Sequence, residues 1–354
     1  MQLLKHSLTI LFFLSFINAL FINSTIISSN SLSDNLFNSM FRAAKYAAVS
    51  YSIKEDSISL GELKNACTCK LCEDSEINIQ IIKIYHGKVS GILIQDNNSN
   101  EIILSLKGTT SNEEWLLNLT FFPIPYHPLN EKKKGWKKWY KYIESCNRCT
   151  IHKGFYDGAK EVYDNLFNDL INLSQENPNY KIIITGHSLG GAIAPILANE
   201  CLPLGLNPTV ITFGAPKIGN TFFASWMDDI WNTNNNYNNL DNSYHSKITP
   251  SYFRVSHKGD YVTLLPTRQM KYKHCGIDVY FDKNGLPMHN SQIRLRKSPA
   301  NVMNIEDLND DDYDDYDDYN NYDNVINSNS KLVKLKESHR LYFLRMNQCT
   351  YKDV

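Results

Sequence analysis

The apolar positions change rhythm several times along the chain, and each change predicts an element. Residues 38–52 place Phe41, Ala44, Tyr46, Ala47, Ala48 and Tyr51 among small side chains, which predicts a helix packed on a core. Three runs rich in isoleucine and leucine follow at 77–85, 90–95 and 101–106. They read as strands, with turns at Gly87 and at 96–100. From 154 to 173 the spacing becomes helical, with Phe155, Ala159, Val162, Leu166, Leu170 and Ile171 on one side. A short buried-type strand at 180–185 precedes another helix at 190–201. The alternation runs on through a strand at 209–213, a helix at 221–230 and strands at 252–256 and 276–281. Strand and helix in turn predict an α/β fold, a mostly parallel central sheet with helices on both faces.

Two stretches break the rhythm. Residues 231–246 are crowded with asparagine, and 305–330 carry a repeating Tyr-Asp-Asp pattern. Neither has the apolar content to offset its ordering entropy, so both are expected to be surface insertions. The start of the chain has another logic. Lys5 and His6 precede an apolar stretch at 8–16, and Ala19 offers a small residue for cleavage. Residues 1–19 are therefore expected to be a signal peptide, leaving 20–354 as a single catalytic domain.

Composition narrows the possibilities further. The 354 residues are 42% apolar with a formal net charge of −1, which fits a globular protein and gives nucleic acid no electrostatic invitation. Eight cysteines behind a secretory signal favour disulfides. Cys67, Cys69 and Cys72 cluster early, and Cys146 and Cys149 enclose two residues. His152 alone does not supply zinc-ligand spacing, so no metal is expected.

The chemistry concentrates in Ile182-Ile183-Ile184-Thr185-Gly186-His187-Ser188-Leu189-Gly190-Gly191. A Gly-x-Ser-x-Gly pattern between a strand and a helix is the context of a nucleophile elbow. Ser188 is pushed out at the top of the sheet, and Gly186 and Gly190 keep side chains out of the tight approach. The N–H of Leu189, at the start of the helix, is placed to stabilise an oxyanion. A serine needs a base oriented by a carboxylate, in the order Ser, Asp or Glu, His. Asp260 lies just past an apolar strand, whereas the competing Asp278 lies within one. His274, His289 and His339 satisfy the order, and the residues alone do not choose among them.

Six ordered segments do choose. They are Leu106-Lys107-Gly108-Thr109-Thr110, His152-Lys153-Gly154-Phe155, the elbow, Thr212 through Asn220, Arg254 through Pro266, and Ser338-His339-Arg340-Leu341-Tyr342-Phe343. Together they resemble the fungal-type triacylglycerol lipases, the class 3 lipases, over about 41–351. The resemblance implies the α/β-hydrolase fold with a lid helix. It makes Asp260 the triad acid, His339 the base and Thr109 the second oxyanion residue, with His257 and His274 at structural positions. It also implies a Cys146–Cys149 bridge, and matches Cys349 to a C-terminal bridge cysteine. Ser52 stands where that cysteine's usual partner would be, which directs Cys349 elsewhere, with Cys69 as the candidate. Cys67 and Cys72 remain candidates for a bridge, and Cys201 and Cys275 are unassigned. Lys107 replaces the family's usual arginine, and Ser338 an acidic residue.

The implied activity is hydrolysis of lipid esters, triacylglycerol first, by a secreted monomer that needs no cofactor. A phospholipase, a soluble-substrate feruloyl-type esterase and a non-catalytic lipid-surface binder are the other readings. Residues 112–119 resemble the lid, with Trp115, Leu116 and Leu119 as an apolar face. Residues 131–142 interleave lysines with aromatics, a mixture suited to a lipid–water interface or membrane surface.

Overall fold

The computed structural model describes residues 32–52, 58–67, 69–108, 122–130, 146–240, 250–266, 270–283, 285–296 and 337–349. Among these, nine strands form one sheet: β1 (Gly61–Glu62), β2 (Ile79–Tyr85), β3 (Gly91–Asp96), β4 (Glu101–Leu106), β5 (Lys181–His187), β6 (Thr209–Phe213), β7 (Ser251–His257), β8 (Ile277–Phe281) and β9 (Ile293–Arg296). They lie side by side in chain order. Strands β4 to β8 are mutually parallel, and antiparallel partners extend the sheet at both edges. Every parallel strand therefore ends at the same edge, where the connecting loops gather.

Alternation along the strands divides the interior. Ile102, Leu104, Ile182, Ile184 and Val210 pack on one face with helices α2 (Lys153–Val162), α3 (Asn168–Glu176), α4 (Leu189–Asn199) and α5 (Thr221–Ile230). Ile103, Ile183, Ile211, Phe253, Val255 and Val279 point the other way, under helix α1 (Asp34–Val49). Ser33 caps α1 by accepting from the Leu36 N–H. The helical run expected at 154–173 is present, but a π-helical turn at Tyr163–Phe167 separates α2 from α3.

The asparagine-rich stretch requires a correction in its first half. Trp231 is fully buried and its indole N–H donates to Asn199 Oδ1 at 2.8 Å. Helix α6 (Thr233–Asn238) follows, with the Asn236 amide donating to the Trp231 and Pro250 carbonyls. Here Asn236 satisfies backbone groups and the indole supplies the apolar anchor, while Asn232, Asn234, Asn235, Asn238 and Asn239 remain exposed. Residues 241–249 and 305–330 lie outside the described residues, as do 1–31.

A second sheet runs Tyr272–Lys273, Gly219–Asn220, Thr150–His152, Pro123–Pro125, all antiparallel. Pro123 and Pro125 occupy its outer strand, the place where a missing N–H costs least.

Candidate active site

Ser188 is the single residue between the end of β5 and the first residue of α4, and its backbone sits at φ 57°, ψ −121°. A non-glycine residue held there is strained, which implies surroundings that over-determine it. The Ser188 N–H donates to the Phe213 carbonyl at 2.9 Å. A Cβ on Gly186 would come within 2.5 Å of the Gly190 carbonyl carbon, and one on Gly190 would collide with the Leu106 carbonyl oxygen. Both glycines therefore permit the close approach of strand and helix that the pattern implied.

The end of β4 passes directly over this turn. A Cβ on Gly108 would meet the His187 carbonyl oxygen at 2.8 Å and the Tyr51 hydroxyl. The next residue, Thr109, lies outside the described residues, as do Trp115, Leu116, Leu119 and the lysines of 131–142. Leu189 is the first residue of α4, where backbone N–H groups have no partner within the helix.

Asp260 follows β7 at the same edge of the sheet, and its side chain accepts from the Val262 N–H at 3.0 Å. His339 arrives from the far end of the chain on a helical turn before the hairpin Leu341–Tyr342/Leu344–Arg345. Its Nδ1 lies 2.9 Å from each carboxylate oxygen of Asp260. Burial alone would push this carboxyl up, but His339, His257 and the Tyr342 hydroxyl outweigh it and hold the group at about 2. The carboxylate is thus ionised and can only accept, so Nδ1 carries the proton. The lone pair is left on Nε2. That atom and Ser188 Oγ are both buried, and neither has a hydrogen-bond partner among the described residues.

The other histidines are engaged. His187 stacks on His339 with ring centroids 4.5 Å apart. Burial, and then the neighbouring His339, lower its pKa to about 3, so it is neutral. Its Nε2 donates to the His339 carbonyl at 2.7 Å, and its Nδ1 accepts from the Tyr51 hydroxyl at 2.6 Å. The His257 ring bridges the carbonyls of Lys258 and Ser338 at 2.8 and 2.9 Å, tying the Asp260 loop to the His339 turn. His274 is driven well below its ordinary range by burial, and its Nε2 donates to Thr263 O at 2.6 Å. His289 caps a 3-10 turn with Gln292. Asp278 accepts from Ser256 at 2.6 Å within β8 and faces Arg254. Of these groups, the ones brought together at the elbow are Ser188, Leu189, Asp260 and His339.

Sequence reasoning missed Tyr51 and Tyr342. Tyr342 lies inside the last matching segment, three residues after His339, but no spacing rule gives a tyrosine there a role. The disulfides join Cys67 to Cys72, Cys69 to Cys349 and Cys146 to Cys149. Cys201 and Cys275 are free thiols in the interior, each pushed up by burial.

The family model described as Lipase (class 3) matches residues 103–270. The LIH1 protein of Saccharomyces cerevisiae is 27% identical over 265 residues, 71% of this chain and 80% of that protein. Secreted mono- and diacylglycerol lipase 2 of Gibberella zeae is 33% identical over 195 residues, which is 54% of this chain but 46% of that enzyme. In structure, Lip2 lipase of Yarrowia lipolytica aligns with a TM-score of 0.68 at 23% identity, over 91% of this chain and 97% of that one. At that identity the likeness is one of fold, and the fold is the α/β-hydrolase.

Proposed function

We propose that this chain, which matches the class 3 lipase model over residues 103–270, hydrolyses carboxylic esters of lipids through an acyl-enzyme on Ser188. One observation carries the reading: His339 is anchored to Asp260 through Nδ1, while its Nε2 and the Ser188 hydroxyl are buried and have no hydrogen-bond partner among the described residues. His339 Nε2 takes the hydroxyl proton as Oγ attacks the ester carbonyl, and the ionised Asp260 stabilises the imidazolium. The Leu189 and Thr109 N–H groups hold the tetrahedral oxyanion. The proton on His339 passes to the departing alcohol, water deprotonated by the same ring frees the acid, and Ser188 recovers its proton. His187 suits this cycle because a neutral ring stacked on His339 adds no repulsion when the base becomes charged.

Triacylglycerol is the first substrate reading. The Gibberella enzyme is named for mono- and diacylglycerols, which makes partial glycerides the second. Three disulfides, the pattern of residues 1–19 and the word "secreted" in that relative's name support an extracellular protein. Residues 112–119 are proposed as the lid, turning Trp115, Leu116 and Leu119 toward lipid at an interface. The test compares emulsified triacylglycerol, diacylglycerol, phospholipid vesicles and a soluble short-chain ester, each with the native chain and with Ser188→Ala. Loss of all hydrolysis in the variant is expected, with the highest native rate on emulsified glycerides. Near-normal turnover by Ser188→Ala would sink the assignment, and equal rates on dissolved and emulsified esters would favour a soluble-substrate esterase.

A further inference from the structure

Phe222, 41% exposed, and Met270, 48% exposed, border neighbouring strands of the second sheet. Single exposed apolar side chains need no explanation. The backbone around these two does. Arg148 and Lys271 are both exposed and both left-handed, at φ 69° and 60°, a conformation that costs a non-glycine residue on the order of 1 kcal/mol. Each is pinned. The Asn220 amide donates to the Arg148 carbonyl at 2.8 Å, and the Thr221 N–H donates to the Lys271 carbonyl at 3.2 Å. These two anchors immediately precede Phe222. Because the strand Gly219–Asn220 lies between Thr150–His152 and Tyr272–Lys273, the cationic residues approach Phe222 from opposite sides.

Arg148 is held further by the Cys146–Cys149 bridge that closes its turn, and its guanidinium lies 4.2 Å over the Phe222 ring. Neither Arg148 nor Lys271 pairs with a carboxylate among the described residues. On the intervening helix α5, Asp228 is turned inward to the Gly276 N–H, and the exposed Asp229 lies two turns away from Phe222. An arginine held over an exposed ring, and an exposed lysine whose backbone is pinned across the same strand, match a surface that is anionic at its rim and hydrocarbon beneath. An acidic peptide would satisfy the cations but leave Phe222 and Met270 without a counterpart.

We propose that Arg148 and Lys271, with the exposed Phe222 and Met270, form a docking surface for a membrane containing anionic phospholipid. The idea extends the lipid-ester reading and is tested apart from it, with full-length oxidised Ser188→Ala protein so that the vesicles stay intact. Binding to phosphatidylglycerol–phosphatidylcholine vesicles is measured by co-sedimentation against phosphatidylcholine alone. Arg148→Gln with Lys271→Gln should weaken binding to the anionic vesicles about 25-fold, fivefold for each basic side chain near such a surface. Arg148→Lys should retain most of it, and added salt should mimic the double change. Phe222→Ser should weaken binding even at low salt. With Ser188 intact, the double variant should hydrolyse a soluble ester at the native rate. Unchanged vesicle binding by the double variant, equal loss on neutral vesicles, or an anionic peptide that binds regardless of Phe222→Ser would overturn the proposal. A native chain that binds anionic vesicles but hydrolyses no ester would instead overturn the enzymatic reading and leave the surface standing.

Discussion

The hydroxyl of Tyr342 donates to Oδ2 of Asp260, so the carboxylate that orients His339 is also held by a side chain from the same hairpin region. Tyr342 is fully buried and its own ionisation is pushed well up by that burial and by Asp260, which keeps it a donor at every working pH. Tyr342→Phe removes one hydrogen bond to an ionised acid, worth about 1.5–3 kcal/mol. We expect kcat to fall roughly tenfold with KM little changed, and the acid limb of the pH–rate profile to move upward. An unaltered profile would show the hydroxyl to be a packing group only.

His339→Ala should be as severe as Ser188→Ala, a loss on the order of a thousandfold or more in kcat. His274→Ala should chiefly lower the unfolding midpoint, because its ring fastens Thr263. His289→Ala should stay active. The decisive comparison is soluble-ester turnover alongside urea unfolding of each variant. Abolished catalysis at full stability in His274→Ala, with an active His339→Ala, would reassign the base.

Acid should destabilise the protein in two stages. His187 and His274 are neutral in the fold and ordinary in the unfolded chain. Their contribution is whole above about pH 6.5 and is lost on acidification, by ~1.4 kcal/mol per pH unit for each histidine. Asp260 adds its own loss only below about pH 4, as the medium approaches its folded value of about 2. Asp260→Asn should therefore flatten the unfolding profile below pH 4 and not near 6.

Glu200 works in the opposite sense. Burial raises its carboxyl to about 7, against the N–H groups of Leu129 and Asn130 that favour the charge. Its favourable contribution is complete below about pH 4.5 and is lost as pH rises through 7. Glu200→Gln should thus gain on the native chain between pH 5 and pH 8, by on the order of 3 kcal/mol in urea unfolding. A difference independent of pH would show that the carboxylate stays ionised in the fold.

The bridge Cys69–Cys349 fastens the segment that carries His339 and Tyr342 to the region before β2. Replacing both cysteines by serine should cost about 2–5 kcal/mol. Heat inactivation of ester hydrolysis should then precede the loss of far-UV signal. Coincident transitions would show that the segment stays docked without its tether.

The central sheet was legible because its strands are buried on both faces. Ile182-Ile183-Ile184 admits little else beside an elbow, and the helical spacing at 154–173 survives its π turn. The second sheet was not legible: strands of two and three residues are too short to show a period, and Pro123 and Pro125 read as breaks. Trp231 was hidden by the asparagines after it, since composition ignores that one indole can anchor a turn through Asn199. For the proposed triad, Ser188 followed from its local pattern, Asp260 from its position after a strand, and His339 only from resemblance. Its nearest partners in space are far away in sequence, and nothing local marks them.

That distance sets an order of birth. The chain is made from its amino end, and the His339 carbonyl that His187 grips is 152 positions later. The sheet, the elbow and Asp260 are all synthesised before His339, and ten further residues must follow His339 before Cys349 can meet Cys69. A nascent or C-terminally truncated chain thus has Ser188 without the imidazole proposed to activate it. Hydrolysis through the proposed Ser188–His339 pair could therefore begin only once residues 339–349 have been made and Cys349 has found Cys69.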